Sequence, residues 1–199
     1  LVVLFITLYS SEIFAANIPG TSAGNFSASP RGGANYSVPI TIPPGASGIE
    51  PKLTISYDSS NADGSLGQGF SLSGLSQISR CQQTLEQDSV ITPIGFGTAD
   101  RFCLDGQRLM AIQGTYGDVG AEYRTEIESF NKVISVGGTL GDPDSFTVRT
   151  KSGLIYEYGS SADSRFEPSG SGGKALIWAV KTVRDTDGNY MTFSYDKNG

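Results

Sequence analysis

Two glutamates in the middle of the chain have a spacing that occurs in a known catalytic turn. Glu126 and Glu128 lie with Arg124 in the segment YRTEIES. In arginine-specific ADP-ribosyltransferases, one glutamate of such a pair contacts the nicotinamide ribose, and the other activates the acceptor guanidinium. That site also needs a separate arginine strand and a Ser-Thr-Ser strand, and the sequence has no Ser-Thr-Ser. Because alternate residues of a strand share one face, the pair fits a solvated sheet edge equally well.

A second acidic segment has the oxygen-ligand spacing of a calcium loop. Asp185, Asp187 and Asn189 lie in DTDGN, but no glutamate follows at the twelfth position of an EF-hand loop. Asp-Gly-Asn between two strands is also favourable turn chemistry. These three residues are therefore a weak calcium candidate or a hairpin turn, and we otherwise predict no metal site and no cofactor.

The histidine and cysteine content limits the kinds of catalytic and metal site that the chain can form. The chain contains no histidine, which excludes Ser-His-Asp and Cys-His catalysis and histidine-ligated zinc or haem within this sequence. We therefore predict no catalytic residue and no enzymatic activity. Cys81 and Cys103 are the two cysteines, and an even pair in an exported chain indicates a disulfide. Closing this loop would contribute roughly 3 kcal/mol in the chain-entropy model.

The amino-terminal segment indicates export. LVVLFITLY is apolar and uncharged, and Ile13 and Ala15 suit the −3 and −1 positions of a cleavage site. No basic segment precedes it, so we expect residues 1–16 to be the later part of a signal peptide. Residues 17–35 are rich in glycine and serine and predict a flexible lead-in. We expect a secreted protein with no stable membrane span.

The elements that would position these residues are strands. Glycine accounts for 26 of 199 residues and charged residues for 17%, which is typical of turn-rich β-proteins. Tyr36, Val38, Ile40 and Ile42 alternate with other residues, and Asp105-Gly106 is a strong hairpin signal. The pattern predicts an all-β, antiparallel meander of about nine or ten short strands, sandwich-like or part of a larger β-shell. The net charge of −6 and the lack of a basic run argue against nucleic acid as a partner.

The aromatic residues have two interpretations. Most are in phase with aliphatic neighbours and are predicted to pack in the core, and Trp178 in particular is predicted to be buried. Exposed members would instead favour an adhesin-like module that binds glycans or a surface. The set comprises Tyr36, Tyr57, Phe70, Phe102, Tyr123, Phe130, Phe146, Tyr156, Tyr158, Trp178, Phe193 and Tyr195.

Longer motifs resemble one known family. They are SASPRGGANYSVPITIPPGASGIEPKLTISYDSS, GSLGQGFSLSGLSQISRC, DRFCLDGQRL, GTYGDVGAEYRTEIESF and DSFTVRTKSGLIYEYG. Together they resemble the N-terminal domain of the Salmonella virulence plasmid B-protein (SpvB) family, which also opens Tc insecticidal toxin B components and Rhs/YD-repeat proteins. The resemblance covers about residues 24–199, and we assign the β-domain itself to residues 36–199. The closing VRDTDGNYMTFSYDKNG, residues 183–199, resembles the start of YD-type repeats.

The resemblance implies a structural role. In Tc toxins this domain contributes to a hollow β-shell that encloses a toxic fragment until delivery. In the virulence protein the ADP-ribosyltransferase is a separate C-terminal domain, so the resemblance transfers no catalytic role to Glu126 or Glu128. We accordingly expect a non-enzymatic module that helps to encapsulate or deliver a toxic partner. Its expected partners are other toxin-complex or Rhs chains, or downstream repeats of the same gene product.

Overall fold

The computed structural model describes residues 24–30, 32–64 and 66–197. The signal peptide predicted for residues 1–16 lies outside these ranges. Of the lead-in predicted for residues 17–35, the described part contains the strand Asn25–Ala28 and the start of Ala34–Pro39. These strands pair antiparallel, with Phe26 opposite Tyr36. Main-chain hydrogen bonds therefore order a stretch that has no alternating apolar pattern.

The described residues contain sixteen strands, one short α-helix and two 3-10 helices. The strands are β1 Asn25–Ala28, β2 Ala34–Pro39, β3 Thr54–Asp58, β4 Asp63–Gly64, β5 Gly67–Gln68, β6 Phe70–Ser73, β7 Gln77–Cys81, β8 Arg101–Leu104, β9 Gln107–Gln113, β10 Glu122–Thr125, β11 Lys132–Val136, β12 Ser145–Arg149, β13 Ile155–Tyr158, β14 Arg165–Phe166, β15 Ile177–Arg184 and β16 Tyr190–Thr192. The helix α1 spans Leu85–Asp88, and the 3-10 helices span Ala46–Gly48 and Ala162–Ser164.

The chain divides into two compact units. The described residues of 24–39 and 55–71 form the first unit, and residues 40–54 and 72–197 form the second. Most of a four-stranded sheet with the order β1-β2-β3-β6 lies in the first unit, together with the small β4-β5 pair. In this unit the rings of Tyr57 and Phe70 lie 5.0 Å apart.

The second unit is built on a closed sheet. Strands β7 to β13 follow one another as an antiparallel meander, and β15 closes it by pairing with β13 and with β7. The result is an eight-stranded barrel, the size at which side chains just fill the interior. The short strands β14 and β16 pair with β15 outside this cycle.

The predicted all-β, antiparallel class is confirmed, but two details of the prediction are wrong. The second unit is a barrel and not a sandwich, because the eight-residue β15 pairs with β7 at Ile177–Ala179 and with β13 further along. The described strands also outnumber the nine or ten predicted. Two-residue strands such as Arg165–Phe166 are too short to show an alternating apolar pattern, so the sequence does not predict them.

Local turn chemistry sets the hairpins of the meander. Asp105 and Gly106 both have positive φ, 48° and 81°, as a type I′ turn requires. They join β8 to β9, with Leu104 opposite Gln107. The hairpin predicted at Asp105-Gly106 is therefore present.

Aromatic rings fill the barrel. Phe102, Tyr123, Phe146 and Trp178 are each at most 1% exposed. The ring of Phe102 lies edge-on to Phe146 at 5.2 Å and to Trp178 at 5.5 Å. Such T-shaped contacts add to the stability that comes from burying the rings. The predicted burial of Trp178 is confirmed.

One charged side chain is buried with these rings. The guanidinium of Arg80 lies 5.3 Å from the ring centroid of Trp178. It donates hydrogen bonds to Asp142 at 2.6 Å and Asp100 at 3.3 Å, and to the carbonyls of Gly141 and Ala175. Arg80 thereby ties three connecting segments to the barrel.

The helices in the described part of the chain are too short or too polar to cross a membrane.

Candidate functional site

The structure does not bring Arg124, Glu126 and Glu128 together as a reaction centre. Strand β10 ends at Thr125, so both glutamates follow the strand and do not share one of its faces. Each of the three residues contacts a different neighbour. The contacts are an ion pair of Arg124 with Glu122 at 2.9 Å, a hydrogen bond from Gln87 to Glu126 at 2.6 Å, and one from the Phe130 N–H to Glu128 at 2.5 Å.

The DTDGN segment forms the turn between β15 and β16. The Asp185 carboxylate accepts hydrogen bonds from the N–H groups of Asp187 and Asn189, both at 2.9 Å, and from the Asn189 amide at 2.8 Å. The hydrogen bond from Asn189 lowers the pKa of Asp185. Asp185 thus closes the hairpin turn. No cluster of three acidic, cysteine or histidine side chains suited to a metal occurs in the described ranges.

The two cysteines lie on neighbouring strands. Cys81 at the end of β7 and Cys103 in β8 form a disulfide, with their Cα atoms 6.1 Å apart. In the β7–β8 register Cys81 lies opposite Arg101, and Cys103 lies opposite Ser79. The disulfide therefore links the two strands diagonally, next to a connection that contains α1.

Most of the aromatic set packs in the protein and does not form a platform. Among the twelve aromatic residues considered for glycan binding, Phe130 is the most exposed, at 64%. It lies in the connection between β10 and β11 and is 5.2 Å from Lys151. Glycan binding through exposed rings stays a prediction.

One concave site of the second unit is an apolar cleft with a volume of about 380 Å³. Ile49, Leu154, Val183, Met191 and Phe193 line it. Ile49 is only 9% exposed and belongs to the core cluster of the barrel. Pockets of this size and character are typical binding sites for apolar groups.

Polar groups stand along the same cleft. Ser76 donates a hydrogen bond to Asp105 at 2.6 Å and is 2.8 Å from the hydroxyl of Tyr158. The neighbouring Tyr156 stacks on Tyr158 at 6.2 Å, and burial raises its pKa. The Tyr156 hydroxyl has no hydrogen-bond partner among the described residues. Tyr156 is therefore a neutral hydrogen-bond donor beside an apolar wall, an arrangement suited to binding.

Two hydrogen bonds position residues 45–52, the segment that forms one wall of this cleft. Asn189 donates a hydrogen bond to the Ser47 hydroxyl at 3.0 Å, and the Gly45 N–H donates one to Glu50 at 3.1 Å. Gly74 packs directly against the main chain of Lys52, where an added Cβ would lie 2.0 Å from the carbonyl oxygen. In the sequence, the turn PPGASGIE and Gly74 mark two of the segments that form this site. Neither one indicates that the two segments meet.

Comparisons with known proteins identify a matching family and a shared fold. The family model described as Salmonella virulence plasmid 65kDa B protein matches residues 28–199. The crystal structure of TcdB2-TccC3 is similar over 98% of this chain, with a TM-score of 0.72 and 19% identity. A structure of the Photorhabdus luminescens Tc holotoxin pore is similar over 90% of the chain, with a TM-score of 0.66 and 19% identity.

The N-terminal domain of effector protein SpvB from Salmonella typhimurium strain LT2 is similar over 80% of this chain and 57% of that one. Its TM-score is 0.58 and its identity 21%. At these identities the solved structures show a shared fold. The chain spans 10% of the TcdB2-TccC3 chain and 9% of the holotoxin chain that it matches. None of the curated proteins is significantly similar in sequence.

Proposed function

The chain belongs to the Salmonella virulence plasmid 65kDa B protein family, as its motifs predicted, and on this premise we propose that it is a structural module of a secreted toxin complex. It acts as wall material in a β-shell that encloses or delivers a toxic partner. The observation that carries this proposal is the similarity to TcdB2-TccC3 over 98% of the chain. The apolar amino-terminal segment LVVLFITLY supports the export that this proposal includes.

Because its interior is filled, the barrel is better suited to form part of an enclosing shell than to enclose cargo itself. Phe102, Phe146 and Trp178 occupy its interior and leave it packed with rings. A domain of this size holds no cargo inside its own barrel, so any enclosure requires further polypeptide around a larger space. Toxin-complex chains, which form the matched structures, are the expected source of that polypeptide.

A non-enzymatic role is supported by the placement of the acidic pair. Glu126 and Glu128 contact different neighbours, and Arg124 pairs with Glu122. The full chain should therefore release no nicotinamide from NAD. Chromatography measures the release, and an active ADP-ribosyltransferase serves as the positive control. Turnover that Glu128→Gln abolishes would contradict the proposal.

The decisive experiment is a domain exchange. This chain, without residues 1–16, would replace the matching segment of TcdB2-TccC3, and an unrelated barrel of similar size would replace it in a control. We expect the exchange to give intact particles by electron microscopy that protect their enclosed fragment from protease. A folded exchange protein that leaves the fragment as sensitive as the control does would refute the wall role.

A further inference from the structure

The main chain beside the apolar cleft carries unused hydrogen-bond donors. Glu50 and Lys52 both line the cleft. The N–H groups of these two residues have no acceptor among the residues that the structure describes. Pro51 between them has no N–H. The main-chain N–H donors of residues 50–52 are therefore those of Glu50 and Lys52, one on each side of Pro51.

The spacing of these donors favours an extended polypeptide as their partner. A residue that precedes proline is restricted to extended backbone, and residues two apart in an extended chain lie roughly 6.6 Å apart on the same side. Carbonyl groups of a second extended chain repeat at the same distance. A small molecule with one carboxylate would satisfy only one of the two donors.

The cleft next to these donors supplies a place for a side chain. Val183, Met191 and Phe193 line the cleft. Tyr156 lines it as well, and its hydroxyl has no hydrogen-bond partner among the described residues. The volume of about 380 Å³ accepts a large apolar side chain. Main-chain pairing beside a pocket for one side chain is a common way to bind a peptide.

From these features we infer that the cleft binds an extended polypeptide segment of a toxin-complex chain. The segment pairs with the N–H groups of Glu50 and Lys52 and inserts an apolar side chain against Met191. This inference rests on the proposed function for the source of the segment, since the matched TcdB2-TccC3 chain extends far beyond the 10% that this chain spans.

The test uses the full chain and synthetic peptides. The probe is acetyl-STVWVTS-amide, compared with the same peptide with serine in place of tryptophan and with a form N-methylated along its backbone. We expect the tryptophan peptide to shift the amide resonances of Glu50 and Lys52. Both altered peptides should bind at least about tenfold more weakly.

Two neighbouring residues of β16 give matched variants. Met191 lines the cleft, whereas Tyr190 is 70% exposed. Met191→Arg should weaken peptide binding at least about tenfold, and Tyr190→Arg should leave it within about twofold. If Met191→Arg does not fold, Met191→Trp replaces it, because this change fills the cleft with apolar surface and should cause the same loss.

Several outcomes would overturn the inference. The first is that no peptide binds, and the second is that the Met191 and Tyr190 variants have equal effects. The third is that the tryptophan peptide and its N-methylated form bind equally well, which would indicate a site for the side chain alone, as in a small-molecule site. Peptide binding and the domain exchange also separate the two proposals. Intact particles without peptide binding would refute this inference alone. Peptide binding together with a folded exchange protein that leaves the fragment unprotected would refute the wall role; the peptide site would stand, but a toxin-complex chain would no longer be the source of its segment.

Discussion

At the scale of single residues, Arg80 is a buried cation paired with two carboxylates at the barrel. Its side chain is fully buried between Asp100 and Asp142, and Asp100 is itself 2% exposed. Arg80→Met would leave the Asp100 carboxylate buried without its partner. Breaking a buried pair in this way costs about 3–5 kcal/mol. We expect a loss of that size in the free energy of unfolding, measured by urea denaturation.

The matched control for Arg80 is Arg149 on β12, which is exposed. Arg149→Met should change the free energy of unfolding by less than about 0.5 kcal/mol. Equal losses in the two variants would show that the buried pairing of Arg80 is not what stabilises the barrel.

Asp88 makes the stability depend on pH. Burial alone would raise its pKa, but hydrogen bonds from Arg108, Thr84 and Arg101 outweigh burial and lower the pKa from 3.8 to about 2. Because the unfolded chain binds this proton more readily, the carboxylate stabilises the fold above about pH 4. That contribution is lost as the pH falls from about 4 towards 2.

Asp88→Asn should therefore lower the unfolding midpoint at neutral pH and reduce its decline between about pH 4 and 2. The measurement is thermal unfolding followed by circular dichroism across this range. Glu86→Gln, on an exposed position of the same helix, is the control. The assignment fails if Asp88→Asn retains the full acid-dependent decline of the parent chain.

At the scale of elements, Gly74 fixes how β6 leads into β7. Its φ is 100°, and an added Cβ would lie 2.0 Å from the Lys52 carbonyl oxygen. Gly170 also has a positive φ, 86°, but an added Cβ there meets no atom within 4 Å. Alanine at either position carries the strain of positive φ, whereas only alanine at position 74 adds a main-chain clash.

Gly74→Ala should thus lower the free energy of unfolding by at least about 1 kcal/mol more than Gly170→Ala does. The effect on the unfolded chain is the same in both variants, so the difference isolates the contact with Lys52. Chemical denaturation of the two variants measures it. Similar losses would mean that the 50–52 segment shifts easily away from position 74.

Local signals predicted the hairpins, while closure of the barrel depended on distant pairing. Asp105-Gly106 determines its own turn geometry, so two residues were enough to predict the β8–β9 connection. The pairing of Trp178 with Ile78 joins positions that are far apart in the sequence. Strand β15 has the sequence IWAVKTVR, with three consecutive buried residues at 178–180, and nothing in this sequence identifies the strands with which it pairs.

The candidate site was hidden from the sequence for the same reason. Its walls come from five separate segments, represented by Ile49, Ser76, Tyr156, Val183 and Met191. Each of these residues has an ordinary role in its own segment, in a turn, at a strand start or in a strand. The unused donors of Glu50 and Lys52 become visible only when their neighbours in space are known.

At the scale of the whole molecule, the two units differ in how much they bury. All four residues of β1 are exposed, and among the described residues of the first unit Gly69 alone is buried. The second unit contains the core cluster around Trp178. Regions with few buried apolar contacts open at low free energy. The first unit should therefore open without unfolding of the barrel.

Hydrogen exchange of the full chain tests this difference. Amides of residues 24–39 should exchange at least roughly 100-fold faster than amides of β11 and β12. Arg80→Met should accelerate exchange in the barrel strands and leave residues 24–39 unchanged, because those residues already open locally. Equal rates in both units, or equal acceleration by Arg80→Met, would show one cooperative fold. If the chain is wall material, the same residues should gain protection in the TcdB2-TccC3 exchange protein, where further polypeptide is available to cover them.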